Sequence, residues 1–320
     1  MYFQGFFLPL IVCLLRFSKI IIFNFRESNL LEMLSTHYKK DAQLIAVSIN
    51  EDTEKVGRRV YFLNPEEVTS SSESESDSDS YFPLRKRRKN DYDDTVFKCK
   101  SNEYMVPYYN PKERVTMFIA GAQNCGKSYF VAQFLKTYRL MHPKRPIYLI
   151  TGLTEKDKHF EKFDIRQVIM DSANVADLDL EKLRTDNQTD KRTGCLLIFD
   201  DTDRIRDKGL MQKVYKLLDD ALANGRDHET QKGEADIDIL VTNHEINDYQ
   251  RTRGILTNCN YVVLFPFYSL SSQMKLIMDK IGISKETQKY ILDYKGRAII
   301  IRKIAPMYCV MKKKIFLLRK

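Results

Sequence analysis

At 320 residues with 43% hydrophobic content, the chain is long enough to bury one substantial core and to carry appended segments. Lys and Arg number 52 against 43 Asp and Glu, a formal charge of +9, so the surface favours polyanionic partners, nucleic acid first. The six cysteines, Cys13, Cys99, Cys125, Cys195, Cys259 and Cys309, include no C-x-x-C pair and no closely spaced histidines; this spacing excludes a zinc site and reads as reduced thiols in an intracellular protein.

Residues 1–32 are an apolar N-terminal segment. Phe6 to Leu15 is wholly apolar, and Ile20 to Phe23 resumes the pattern after Arg16, Ser18 and Lys19. A signal anchor is one reading; the internal cations and the lack of a small-residue cleavage signature oppose it, so membrane insertion is not expected. Tyr2-Phe3-Gln4-Gly5 resembles a protease-site remnant and Met33 an internal start, which sets this segment apart from the fold.

In residues 33–68, the β-like runs Leu44 to Val47 and Arg59 to Leu63 predict a small hairpin. Residues 69–107 read as a disordered linker, forming with residues 1–68 a partly disordered N-terminal extension. The linker opens on Ser70 to Ser80, alternating serines and acids with nothing apolar to offset the entropy of ordering. Its serines suit acidophilic phosphorylation. Arg85-Lys86-Arg87-Arg88-Lys89 follows, readable as a solvated end that neutralises the acidic run, as a nuclear-import signal, or as a phosphate-contacting arm.

The main domain is expected over 108–320. Apolar runs at Val115 to Ala120, Ile147 to Thr151, Val168 to Met170, Cys195 to Asp200, Ile237 to Thr242, Tyr261 to Phe265 and Ala298 to Arg302 predict strands, with helices between most of them. Lys127 to Leu140 and Lys208 to Asn224 are the clearest helices. Such alternation implies an α/β fold with a mostly parallel central sheet covered by helices on both faces. Ala298 to Ile304 and Met307 to Met311, flanking Ala305-Pro306, predict a C-terminal β-hairpin added to the sheet.

Between the first run and the first helix lies Gly121-Ala122-Gln123-Asn124-Cys125-Gly126-Lys127-Ser128, matching G-x-x-x-x-G-K-[ST] in its required strand-to-helix context. The glycines let backbone N–H groups wrap phosphates at a helix N-terminus, so these eight residues are expected to bind a nucleoside triphosphate. Lys127 would reach the β and γ phosphates and Ser128 would ligate Mg²⁺. Cys125 reads as a tolerated loop residue whose thiol could confer oxidant sensitivity.

Leu196 to Asp201 is a buried-strand run ending in two carboxylates and resembles a Walker B motif. Asp200 would hold Mg²⁺ and Asp201 would polarise the attacking water. Asn243, ending another expected strand, is a candidate γ-phosphate sensor or a cap for the next segment; His244 beside it reads as a turn histidine. Arg226, Arg251 and Arg253 are candidate sources of transition-state charge, competing with roles as surface cations or DNA-phosphate contacts.

Taken in order, the P-loop, Ile198 to Asp203, Asn224-Gly225-Arg226, Val241 to His244, Thr252 to Cys259 and Leu264-Phe265-Pro266 resemble the poxvirus-type genome-packaging ATPases of large nucleocytoplasmic DNA viruses, in the FtsK-HerA branch of P-loop motors. The resemblance spans Arg114 to Met311. It implies a ring-forming, Mg-ATP-dependent motor that translocates double-stranded DNA into a capsid, with capsid or nuclease partners and arginines shared between neighbouring subunits. It places the protein in a viral factory or the nucleus of an infected cell, or in the virion. One departure bears on Arg226: Asp227-His228 and a polar insertion through Asp236 follow it, where the family passes quickly into the next strand. A helicase or DNA pump of the same superclass, a P-loop kinase and a non-hydrolysing nucleotide switch are the alternative functions.

Overall fold

The computed structural model describes residues 34–36, 38, 42–63, 96–155, 157–171, 178–186, 191–226, 236–244 and 249–318. The N-terminal apolar segment, the acidic serine tract, the basic block and most of the insertion after Arg226 lie outside these residues. Packing divides the chain into two units.

The smaller unit begins with strands β1 (Leu34–Ser35), β2 (Gln43–Asn50) and β3 (Val56–Phe62), followed by β4 (Val96–Lys98) and β5 (Glu103–Pro107). β2 and β3 form the expected hairpin, and β1 and β5 pair antiparallel on its two sides in the order β1-β3-β2-β5. β4 and β5 correct the expectation of a disordered linker over the whole of 69–107. Both sequences are short, and β5 closes on Pro107, which cannot donate to a ladder. β5 is recruited as a strand by long-range pairing with β2, from Asn50↔Glu103 to Ala46↔Pro107.

The larger unit, within Tyr109–Met307, contains in chain order β6 (Thr116–Ala120), α1 (Lys127–Met141), β7 (Ile147–Thr151), β8 (Arg166–Ile169), α2 (Leu180–Arg184), the two-residue β9 (Thr185–Asp186) and β10 (Lys191–Arg192), β11 (Cys195–Asp200), α3 (Lys208–Asn224), β12 (Ile237–Asn243), α4 (Tyr249–Asn258), β13 (Tyr261–Leu264), α5 (Ser271–Lys280), α6 (Lys285–Leu292) and β14 (Ile299–Arg302). Its sheet runs β14-β13-β6-β12-β11-β7-β8. All neighbours are parallel except β13 and β14. The central strands read as continuous apolar runs because both faces are covered: every residue of β6, β7, β11, β12 and β13 is buried. The crossover through α1 moves along the sheet one way, whereas those through α3 and α4 move the other; the right-handed rule therefore puts α1 and the α3–α4 pair on opposite faces.

A buried polar cluster fixes the amino-terminal edge of this sheet. Asp238, 1% exposed, accepts from Arg145 Nη1 at 2.8 Å, the Tyr138 hydroxyl at 2.8 Å and the Val115 amide at 2.7 Å. Arg114 donates to the carbonyls of Ala221, Leu222 and Ile237 at 2.5, 3.0 and 2.7 Å, closing the end of α3. Burial lowers the Arg114 pKa to about 10.

Strands β15 (Tyr308–Met311) and β16 (Lys314–Leu317) complete the smaller unit as an antiparallel hairpin around Lys312-Lys313, with β4 paired to β16. The sequence reading anticipated the first of these strands, and β16 joins it as a hairpin partner. Lys313 Nζ secures the turn on Glu51 Oε1 at 2.7 Å and the Ser101 and Glu103 carbonyls at 2.6 Å each. Residues 308–317 thus pack with the N-terminal strands rather than within the unit expected over 108–320.

Candidate active site

The parallel register brings the strand ends Ala120, Thr151, Asp200, Asn243 and Leu264 to one edge of the sheet, where open parallel sheets present their binding crevice. The chain leaves β6 at this edge through the P-loop. Gly121 donates its amide to the Asn243 carbonyl at 3.2 Å. A Cβ on Gly121 would stand 2.6 Å from Cys125 Sγ and 2.8 Å from Phe265 Cδ2, so the position requires glycine. Asn124 and Gly126 adopt left-handed φ values of 62° and 106°, a local geometry of the kind that gathers amides into an anion-binding concavity. Gly126 is the N-cap of α1, no side chain caps the helix, and its first turn carries no acid. The positive end of α1 is therefore open to an anion.

Lys127 is 7% exposed and folded back on its own loop. Its Nζ donates to the Gly121 and Ala122 carbonyls at 2.9 and 3.2 Å and lies 2.9 Å from His244 Nδ1. Burial lowers the affinity of this amine for its proton, against the raising pull of Cys125, Asp201, Asp203 and Asp200. Cys125 packs beneath Gly121, and burial raises its thiol pKa, so Cys125 acts as a small buried filler and the oxidant sensitivity expected of it loses its chemical basis.

Asp200 ends β11 at 7% exposure. Burial raises its pKa to about 6, with the negative charge of Asp201 adding to the effect and a 2.6 Å hydrogen bond from the Thr242 hydroxyl opposing it. Asp201, in the left-handed region at φ 53°, gives its amide to both Thr242 O and Oγ1 at 3.1 Å. Its Oδ2 lies 2.7 Å from His244 Nε2, and the His244 amide donates to Asp203 Oδ2 at 2.8 Å. Among the described residues no group of three or more His, Cys, Asp and Glu side chains could hold a metal ion. A cation here would share Ser128 and Asp200 with phosphate oxygens and water, a donor set that suits Mg²⁺.

The other anticipated residues are dispersed. Asn243 is 2% exposed, and its Oδ1 accepts from Thr202 Oγ1 at 3.2 Å, tying β12 to the turn after β11. Arg226 follows α3 beside the start of β12, where Ile237 N bonds Gly225 O at 2.8 Å. The length of β12, roughly 20 Å at the usual strand rise, separates it from the P-loop edge. Arg253 is exposed on α4, with no side-chain hydrogen bond or ion pair among the described residues. Arg251 also lies on α4, its side chain outside the described set.

Three residues that sequence reasoning did not assign to the site are present there. His244 joins Lys127 to Asp201. Arg204 Nη2 lies 3.5 Å from Gln123 Oε1. The exposed Arg297 passes the P-loop with Cδ 3.5 Å from the position of a Cβ on Gly126. Arg297 precedes an antiparallel strand, whose start therefore falls at the carboxyl edge; only the strand direction reveals this.

No family model matches the chain. The chain is 30% identical over 205 residues to the "Uncharacterized protein V3" of Sputnik virophage, covering 63% of this chain and 77% of that protein. Among solved structures it is similar to the genome packaging NTPase B204 from Sulfolobus turreted icosahedral virus 2 in complex with AMPPCP, with 14% identity, TM-score 0.41, and 65% and 98% of the two chains covered. It is also similar to B204, the DNA-packaging ATPase from Sulfolobus Turreted Icosahedral Virus, with 18% identity, TM-score 0.42, and 65% and 100% covered. A third is the pCW3 conjugation coupling protein TcpA in monomer form with ATPgS, with 8% identity, TM-score 0.41, and 89% and 88% covered. Viral genome-packaging ATPases, which the motifs resemble, thus stand among these structures.

Proposed function

The chain belongs to the family of the Sputnik virophage protein V3, and from its P-loop site we propose that it is a Mg-ATP-hydrolysing motor that translocates double-stranded viral DNA into a capsid, working as a homo-oligomeric ring. The observation that carries the nucleotide part is the uncapped, acid-free N-terminus of α1 beneath the left-handed Asn124 and Gly126, with Lys127, Asp200 and Asp201 around it. The DNA part rests on the ordered motifs from Gly121 to Pro266 and on the net charge of +9.

In this reading the P-loop amides and α1 hold the phosphates, and Lys127 exchanges its neutral carbonyl acceptors for charged phosphate oxygens, which adds the attraction of opposite charges to the hydrogen bond. Ser128 and Asp200 would hold a Mg²⁺, which would supply positive charge against that developing on the phosphates. Asp201 takes the proton of the attacking water. Arg204 and Arg297 can add positive charge within one subunit. Arg226, on the far edge of the sheet, could serve only a neighbouring subunit or DNA. Among the described residues no helix is long and apolar enough to cross a membrane; the proposed setting is the viral factory, the nucleus or the virion.

Steady-state ATP hydrolysis with and without linear double-stranded DNA, at low and moderate salt, tests the reading against a Lys127→Ala control. Turnover stimulated by DNA, weakened by salt and lost in the control is the expected result. DNA-indifferent turnover favours a kinase. The short reach of the Asp201 carboxylate, one methylene less than that of a glutamate, favours a second reading, a nucleotide switch with slow hydrolysis, which negligible turnover despite tight binding would support.

A further inference from the structure

The ring of His244 occupies the space between the two groups that the hydrolytic reading needs most. Lys127 has three ammonium protons and three acceptors within reach: Gly121 O at 2.9 Å, Ala122 O at 3.2 Å and His244 Nδ1 at 2.9 Å. An ammonium can only donate, so Nδ1 is the acceptor. The neutral ring then carries its proton on Nε2 and donates it to Asp201 Oδ2 at 2.7 Å. The His244 amide, held by Asp203 Oδ2 at 2.8 Å, fixes the ring at the end of β12.

We propose that His244 is a positioning residue whose two ring nitrogens have separate tasks. Nε2–H orients Asp201 by engaging Oδ2, leaving Oδ1 to take the proton of water. Nδ1 accepts from Lys127 and gives it up to phosphate. A left-handed residue at the end of a strand, as Asp201 is, has few local restraints on its carboxylate, and the imidazole supplies one. The proposal rests on the reading of residues 121–128 as a phosphate site.

The variants that separate the two tasks are His244→Ala, which removes both nitrogens, and His244→Gln, whose side-chain amide keeps a donor near the Nε2 position and loses the acceptor for Lys127. Binding of AMPPCP and ATP turnover are measured on the full chain. In His244→Ala, kcat is expected to fall about tenfold, while AMPPCP binds no more weakly, and up to about fivefold more tightly, because Lys127 has one hydrogen bond fewer to surrender. In His244→Gln, turnover recovers and the tighter binding remains. Weakened AMPPCP binding with unchanged kcat in His244→Ala would make the histidine a phosphate ligand and overturn the proposal; so would unchanged values of both.

Imidazole ¹⁵N NMR of the nucleotide-free chain provides an arm independent of nucleotide chemistry. The His244 signals should report the Nε2–H tautomer, and Nδ1 should shift in Lys127→Met. Absence of that shift overturns the proposal. Failure of the wild-type chain to bind any nucleotide, with the Nδ1 shift present, overturns the phosphate-site reading instead.

Discussion

Thr242 and Asp200 are register partners on adjacent parallel strands, and the Thr242 hydroxyl donates to Asp200 Oδ1 at 2.6 Å. The bond favours the ionised carboxylate against a burial that otherwise raises its pKa to about 6. Removing it raises that pKa further. In Thr242→Val the acid limb of the kcat/KM profile should move up by about one pH unit, the worth of a hydrogen bond to a charged group. Activity then falls at pH 6.5 and is retained near pH 8.5. Thr242→Ser keeps the donor and the wild-type profile; a pH-rate comparison of the three proteins decides it.

The ionised Asp200 carboxylate also lowers stability when no nucleotide is added. Its folded pKa of about 6 lies above the ordinary 3.8, so the folded state binds this proton more tightly than the unfolded state. The stabilisation from protonation is complete below about pH 4 and is lost as pH rises through 6. Nucleotide-free Asp200→Asn should therefore be more stable than wild type at pH 8, by on the order of 1–3 kcal/mol, with the difference vanishing near pH 4. Urea unfolding across that range measures it, and the same variant should not hydrolyse ATP.

Gly121→Ala places a methyl group 2.6 Å from Cys125 Sγ and 2.8 Å from Phe265 Cδ2. Overpacking of this kind costs about 1–3 kcal/mol. A lower Tm and weaker AMPPCP binding are expected, and Cys125→Ala in the same chain should recover part of both by vacating one of the two contacts.

Away from the site, Asp238→Ala removes the shared acceptor of Arg145, Tyr138 and the Val115 amide. Breaking a buried ion pair from one side costs about 3–5 kcal/mol. Stability measured in urea should fall by that amount. Paired replacement by Asp238→Leu and Arg145→Met should lose less, because no charge is then stranded.

The strands and helices of the larger unit were legible because each forms a contiguous apolar run or a 3.6-residue pattern between turns: Ile147–Thr151, Cys195–Asp200 and Lys208–Asn224 fall where the pattern places them. The P-loop was legible because its chemistry is confined to eight consecutive residues. β5 was not, since five residues ending in proline carry little local signal and become a strand only by pairing with β2. Asn243 and His244 show the limit most sharply. Composition could not distinguish these neighbours, yet strand alternation sends one side chain into the interior to meet Thr202 and the other to Lys127 and Asp201.

The sequence by itself determined the class of the fold, the eight-residue glycine-lysine motif and the pair of acids, because these depend on residues close along the chain. The tertiary structure alone decided that β12 lies between the P-loop strand and the acid-bearing strand. It also decided that Arg226 lies at the far edge while Arg204 and Arg297 flank the loop, and that a histidine links the lysine to the aspartate. The physical reason is that strand order and direction are set by burial of both sheet faces and by right-handed crossovers, collective quantities to which no single segment holds the key.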